Sequence, residues 1–405
     1  MKVPFAIPDC GVEEINEVIS VIKSGWLTTA SRCAKFEEDF ARFIGTKHAL
    51  AVNSATAALH LGLEALGIKD GDKVLIPTFT FTATAEVVRY LGADPVFVDC
   101  DRETFCVTAT HMDKALKVQG SPEEWSRQVG NSTGQAGFRV QDVKAIIPVH
   151  FGGHPCDMDP ISEFAKENGL KVMEDAAHAI PTRYKGRLVG AFGDITCFSF
   201  YANKTMTTGE GGMLCTDDDE IAKRVKVMRL HGINRDVWDR FSTGASWEYD
   251  VVAPGFKYNM PDINAALGIC QLRKVELFRE KRERIAKIYY EELGEIPGLI
   301  LPRLHCDIKD HSWYIFVVLI DRDRTKVGIG RNEFIDEMTK RNIGTSVHYK
   351  PLHRMTYYRE KYGLKPEMFP NAEWVFERCV SLPMFSAMSD EQLGYVVDNV
   401  KDILS

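Results

Sequence analysis

The sequence predicts an α/β fold: a mostly parallel central sheet flanked by helices, followed by a smaller α+β region. Through the first two-thirds of the chain, apolar runs of strand length alternate with stretches of helical periodicity. Joints rich in Gly, Ser and Asn separate them. From about residue 270 this rhythm yields to one long charged helix, LRKVELFREKRERIAKIYYEEL, and then to mixed helix and strand signals.

Val12, Ile15, Val18, Ile19 and Ile22 recur at helical spacing, and Ser24-Gly25 ends that helix. Phe36, Phe40 and Phe43 mark a second helix, closed by Gly45. ALAV (49–52) reads as a strand, after which Asn53-Ser54-Ala55-Thr56 opens an Ala/Leu-rich helix to Gly67. KVLIP (73–77) and PVFVD (95–99) are strands on either side of the helical AEVVRYLG. AIIPVH (145–150), a helix near 157–168 and LKVMED (170–175) repeat the βαβ pattern, and ITCFSF (195–200) and GGMLCT (211–216) complete the sheet. Residues 119–139 are polar and Gly/Ser-rich with little periodicity, which reads as a surface insertion. The change of rhythm divides the chain into a large domain, 1–255, and a smaller one, 256–405.

The 405 residues carry 50 Lys and Arg against 57 Asp and Glu, a net charge of −7, with 45% hydrophobic residues. This is the balance of a globular chain, and it offers no general attraction to nucleic acid or to an anionic membrane surface. No apolar run approaches the ~20 residues that span a bilayer. The N-terminus reaches Glu13 and Glu14 without a long apolar stretch, unlike a signal peptide. Ten scattered cysteines form no CxxC pair, so neither a zinc site nor a dithiol redox motif is expected. Together these point to a reducing, cytoplasmic setting.

In an open parallel sheet, ligands collect at the carboxyl ends of the strands. Ser54-Ala55-Thr56 opens a helix there, whose free N–H groups and dipole suit an anion; a simple helix cap is the alternative. Asp175 ends LKVMED, where a buried carboxylate needs a cation or a protonated heterocycle nitrogen, unless it caps a helix or forms a structural ion pair. His178 follows three residues on. Lys204, in FSFYANKTMTTGEGG, lies just beyond a strand end, and a desolvated lysine loses its proton near neutral pH and becomes a nucleophile toward carbonyls. An anion cradle, a partner for a pyridinium nitrogen and an amine are together what pyridoxal phosphate requires.

SGWLTTASRCAKFEEDFARFIG, AVNSATAALHLGLEALGI, IPTFTFTATAEVVRYLGADPVFVDCD, MEDAAHA, FSFYANKTMTTGEGG, GFKYNMPDINAALG and SLPMFSAMSDEQ follow one another in this order. With these motifs the chain resembles the DegT/DnrJ/EryC1/StrS family of pyridoxal-phosphate sugar aminotransferases over almost its whole length. The resemblance implies the type I aminotransferase fold. It puts Lys204 at the cofactor-bearing position and Asp175 at that of the acid pairing with the pyridine nitrogen, the catalytic pair. Ser54, Ala55, Thr56 and Ser199 match phosphate ligands, Phe81 the aromatic that stacks on the ring, and His178 the residue beside it. The family builds shared active sites across a homodimer, and Asn259 resembles the residue sent into the neighbour's phosphate site. Here GFKYNM stands where GYNYRM is commoner.

Lys185 and His348 match substrate-loop positions, whereas Arg187 and Lys350 read as solvated charges and Trp26 as packing. A lysine at 204 rather than histidine favours transamination over dehydration, and TTGEGG resembles enzymes acting at C4 of the sugar. The implied reaction converts a nucleotide-linked keto-sugar, a 4-keto-6-deoxyhexose, to the amino-sugar with glutamate as donor and 2-oxoglutarate as product. An inosose or another cyclic ketone is the alternative substrate, and a non-catalytic regulatory protein the alternative class. A nicotinamide enzyme is disfavoured because the first βα turn, NSATAAL, has no GxGxxG.

Overall fold

The computed structural model describes residues 1–121, 139–234, 248–326 and 328–404. Residues 122–138, most of the expected insertion, lie outside the described residues.

Two helices, α1 (Val12–Ser24) and α2 (Ser31–Ile44), precede the sheet and each ends on a glycine with φ near +80°, Gly25 and Gly45. Then come β1 (His48–Val52), α3 (Ala55–Ala65), β2 (Lys73–Pro77), α4 (Ala83–Tyr90), β3 (Asp94–Val98), α5 (Ala109–Gln119) and β4 (Val143–Ile146). They are followed by α6 (Met158–Glu167), β5 (Lys171–Asp175), a small hairpin β6 (Arg183–Tyr184) and β7 (Arg187–Leu188), β8 (Ile195–Ser199) and β9 (Gly212–Thr216). Seven strands form one sheet in the order β1-β9-β8-β5-β4-β2-β3. The pairs β2/β3, β2/β4, β4/β5 and β5/β8 are parallel, and β9 runs antiparallel to both β8 and β1. The sheet is buried on both faces, which is why β2, β3 and β8 read as unbroken apolar runs.

One expectation needs correction, and one helix turns an unexpected face to solvent. The strand expected over 145–150 is regular only over Val143–Ile146, because Pro148 has no N–H to donate to a ladder. In α1 the residues that set the helical spacing do not face the core: Val12, Ile15, Ile19 and Ile22 are 41–71% exposed. The buried positions are Val21 and Glu14, whose carboxylate pairs with Lys274 and accepts from Gln271 Nε2 at 2.9 Å.

After α7 (Asp219–Met228), the 32-residue helix α8 (Asp262–Leu293) runs past the sheet and into a second core. Its first half packs Ala265, Ile269, Leu272 and Val275 with Phe36, Phe40, Phe198 and Phe200, and its second half packs Ile285, Tyr289 and Leu293 with Trp313, Phe316 and Phe334. The second core is covered by an antiparallel sheet of β10 (Leu299–Ile300), β11 (Phe316–Ile320) and β12 (Cys379–Leu382), with α9 (Arg331–Lys340) and the C-terminal helix α12 (Asp390–Leu404), which follows two shorter helices, α10 (Thr356–Tyr362) and α11 (Pro370–Arg378). Val3 packs into this second core and its backbone pairs with Ile343, crossing the boundary expected at 255/256. Among the described residues no helix is long and apolar enough to cross a membrane.

Candidate active site

The carboxyl ends of β1, β2, β5 and β8 open into one cavity of about 450 Å³. Its walls include Ser54, Ala55, Thr56, Phe81, Asp175, His178, Ser199, Lys204 and His348, so nine of the eleven residues singled out from sequence converge there.

At the end of β1 the chain turns directly into α3. Ser54 caps the helix, its Oγ accepting from Ala57 N at 3.1 Å and its carbonyl from Ala58 N at 3.1 Å. The N–H groups of Ala55 and Thr56, which also line the cavity, are left without an acceptor among the described residues. Free amides at a helix start form an anion site. The neighbouring strand leaves room for nothing larger than glycine: a Cβ on Gly212 would stand 2.5 Å from the Ser54 carbonyl and 2.6 Å from Ala55 N. The segment that caps the helix therefore also presents two free amides to the cavity.

Asp175 ends β5 and is 5% exposed. Its Oδ1 accepts from Ala177 N at 3.1 Å and its Oδ2 from Thr84 Oγ1 at 2.9 Å. Burial pushes its pKa up, against these two bonds and the charge of Lys204. A carboxylate with so few donors favours a cationic partner in the cavity, which a ring N–H⁺ would be. Lys204 follows β8. Burial lowers its amine to about 7, against the pull of Asp175, and among the described residues Nζ has no hydrogen-bond or ion-pair partner. It stands 4.2 Å from the centroid of the Tyr314 ring.

His178 is buried and neutral, held well below its usual range by burial and then by Lys204 and His348. Its Nδ1 accepts from Gly152 N at 3.2 Å, which places the ring proton on Nε2, 3.0 Å from Tyr349 Oη. His348 is neutral too, lowered to about 4 by burial and by Lys204, with Nδ1 2.7 Å from Ser381 Oγ. Phe81 is 56% exposed, an aromatic face left open at the cavity.

Two singled-out residues lie elsewhere. Lys185 sits in the β6–β7 turn, ion-paired to Asp159 and over the Tyr184 ring, and does not line this cavity. Asn259 is paired with Val52 at the sheet edge, donating to Thr29 Oγ1 at 2.6 Å and accepting from Lys257 at 2.5 Å. Arg187 is exposed and Trp26 half-buried. Residues not anticipated from sequence also line the cavity, chiefly Tyr314 and Tyr349. Thr84, hydrogen-bonded to Asp175, was hidden in the helical run ATAEVV, where nothing but the fold reveals its partner.

The donor set fits pyridoxal phosphate: free helix amides for a phosphate, an under-satisfied buried carboxylate for the ring nitrogen, an open phenyl for its face and an unpaired amine for its aldehyde.

Comparisons with known proteins agree. The family model described as the DegT/DnrJ/EryC1/StrS aminotransferase family matches residues 8–401. The chain is 48% identical over 402 residues to the uncharacterised protein MJ1066 of Methanocaldococcus jannaschii, covering 99% of this chain and 97% of that one. It is 43% identical over 402 residues to the spore coat polysaccharide biosynthesis protein SpsC of Bacillus subtilis, with the same coverage, 99% and 97%. Spr1654 of Streptococcus pneumoniae, described as a sugar aminotransferase and solved in its PLP form, matches with a TM-score of 0.86 at 30% identity over 100% of both chains. On this agreement of sequence, fold and site chemistry, the chain belongs to the DegT/DnrJ/EryC1/StrS family and is a pyridoxal-phosphate-dependent aminotransferase.

Proposed function

We propose that this enzyme transfers an amino group from glutamate to C4 of a nucleotide-linked 4-keto-6-deoxyhexose. The observation that carries the reading is the convergence of Lys204, Asp175 and the start of α3 on one cavity. The naming of SpsC for polysaccharide biosynthesis and of Spr1654 as a sugar aminotransferase supports a sugar substrate. The TTGEGG loop, two residues of which line the cavity, supports C4.

In this reading the amides of Ala55 and Thr56, with the hydroxyls of Ser54 and Ser199, bind the cofactor phosphate. Phe81 covers the ring, His178 lies beside it, and Asp175 holds the proton on its nitrogen. Bound there, pyridoxal phosphate supplies a reactive aldehyde and a ring that accepts electrons. Lys204 Nζ, uncharged in part at neutral pH, takes the proton from the α-carbon of the donor and later returns one to the sugar carbon that gains nitrogen. His348 and Tyr349 offer uncharged hydrogen-bonding groups to the sugar. Lys185 has no role here within a single chain, since its charge is already paired outside the cavity.

The enzyme is read as a homodimer with shared sites. Asn259 lies outside the cavity of its own chain, and the exposed ladder Val12, Ile15, Ile19 and Ile22 is an apolar face in need of cover. Sedimentation at micromolar concentration should give twice the chain mass; a monomer retaining full activity would remove the shared site.

The test of substrate is a reverse assay. Glutamate should bleach the visible band of the loaded enzyme, and nucleotide-linked 4-amino-6-deoxyhexoses with 2-oxoglutarate should turn over. Turnover of an aminocyclitol alone would replace the sugar by a cyclic ketone. Lys204→Ala should abolish both the band and turnover.

A further inference from the structure

Tyr314 stands at the start of β11 with its ring face toward two cavity groups. The Lys204 amine is 4.2 Å from its centroid and the His178 ring 4.4 Å. Its hydroxyl donates to Asn203 Oδ1 at 3.2 Å, so it also holds the residue preceding the lysine.

The segment carrying this ring is built at visible cost. Trp313, just before it, has φ +53°, a conformation that side chains disfavour. Ser312 Oγ donates to the His178 carbonyl at 2.7 Å, and a Cβ on Gly153 would come within 2.2 Å of that hydroxyl. Behind it lies Arg282 of α8, 2% exposed, whose Nη1 donates to the carbonyls of Trp313 (3.2 Å), Tyr314 (3.1 Å) and Met384 (2.9 Å). Among the described residues this guanidinium forms no ion pair, and its Nε has no partner. A buried cation whose hydrogen bonds go to carbonyls, with no ion-pair partner, is expensive. Its three bonds all tie down the ends of β11 and β12 that flank the ring.

We propose that Tyr314 is a positioning residue for Lys204: its ring face is the seat of the amine whenever that amine is free, and Arg282 fixes the seat. This rests on the reading of Lys204 as the cofactor-bearing lysine. A lysine that is released and recaptured in each turnover must stay within reach of the carbon it serves, and four methylenes allow it many wrong positions. A ring face within about 6 Å attracts an ammonium through its quadrupole, more strongly where water is excluded. The other groups facing the amine are Asp175 on β5, which attracts it, and His178 and His348, both uncharged.

The test uses enzyme loaded with pyridoxamine 5′-phosphate, in which Lys204 is free, and follows labelling of Lys204 by an amine-specific reagent against pH, located by peptide mass spectrometry. Tyr314→Phe keeps the ring and should leave the labelling midpoint unchanged. Tyr314→Leu, dry but without a quadrupole, should move it down by about one pH unit, a tenfold change in the charged-to-neutral ratio. Pentafluorophenylalanine in place of Tyr314 keeps the shape, reverses the quadrupole and should move it at least as far. A Leu or fluorinated variant with the wild-type midpoint, or a Phe variant that shifts as Leu does, would overturn the proposal. Borohydride reduction of the pyridoxal-phosphate form tests the underlying reading separately: cofactor mass on a peptide lacking Lys204 would remove that reading, whatever the labelling shows.

Discussion

β5 ends in two consecutive carboxylates, and the period-two geometry of a strand turns them to opposite faces of the sheet. Glu174 is wholly buried behind the sheet. Its Oε1 accepts from Phe192 N (3.2 Å), Gly193 N (2.8 Å) and Thr196 Oγ1 (2.8 Å), and its Oε2 from His150 Nε2 (3.0 Å). His150 Nδ1 accepts from Cys156 N, so the proton shared with Glu174 is fixed on Nε2. Burial works to raise the pKa of Glu174, but these donors overcome it and hold the group below its usual value. Asp175, one residue on, has two donors in place of four and is shifted the other way. The difference is in completeness: the carboxylate that keeps the fold accepts four hydrogen bonds, and the one facing the cavity accepts two.

The largest expected effect breaks that contrast at Asp175. Asp175→Asn should lose about a thousandfold in kcat, as loss of a site's principal electrostatic group does. Its thermal midpoint should hold or rise, because the variant no longer buries an incompletely paired charge; a fall of several degrees would show that Asp175 is structural. Glu174→Gln should do the reverse. It should cost about 3 kcal/mol of stability, read by denaturant unfolding, while the folded fraction stays active.

Acid sharpens the contrast. The contribution of Glu174, whose folded value is depressed, is present above the unfolded value near 4.5 and lost as pH falls through the folded one; the cost of charged Asp175 is relieved over its own raised range. Glu174→Gln should therefore flatten the acid unfolding profile measured by circular dichroism, and Asp175→Asn should steepen it. The smallest effect is expected from Thr84→Val, which removes one of the two donors to Asp175. It should lower kcat about tenfold and move the acid limb of the pH–rate profile upward.

Much of the sheet was legible because buried parallel strands are continuous apolar runs, so KVLIP and LKVMED announced themselves. Strand direction was not: GMLCT, buried on both faces, carries no alternation to distinguish antiparallel β9 from its parallel neighbours. α1 was found by its period, but which face it buries was not legible, since an apolar ladder looks the same whether it meets a core or solvent. At the site, residues at strand ends (Asp175, Lys204) or helix starts (Ser54 to Thr56) could be read from position alone. Tyr314, Tyr349 and Thr84 could not, because their roles come from contacts made across more than ninety residues of chain.

A 32-residue helix is about 48 Å long at 1.5 Å per residue, and α8 spends that length in two cores. It behaves as a common axle. A shear between the sheet and the smaller core would have to bend or break hydrogen bonds along it, so opening and closing of the cavity falls to the loops around it. For the same reason neither core can melt without taking part of the other's wall. Calorimetry of the intact enzyme should show one transition, and a pair of helix-breaking glycines near the middle, at Arg279 and Glu280, should split it into two.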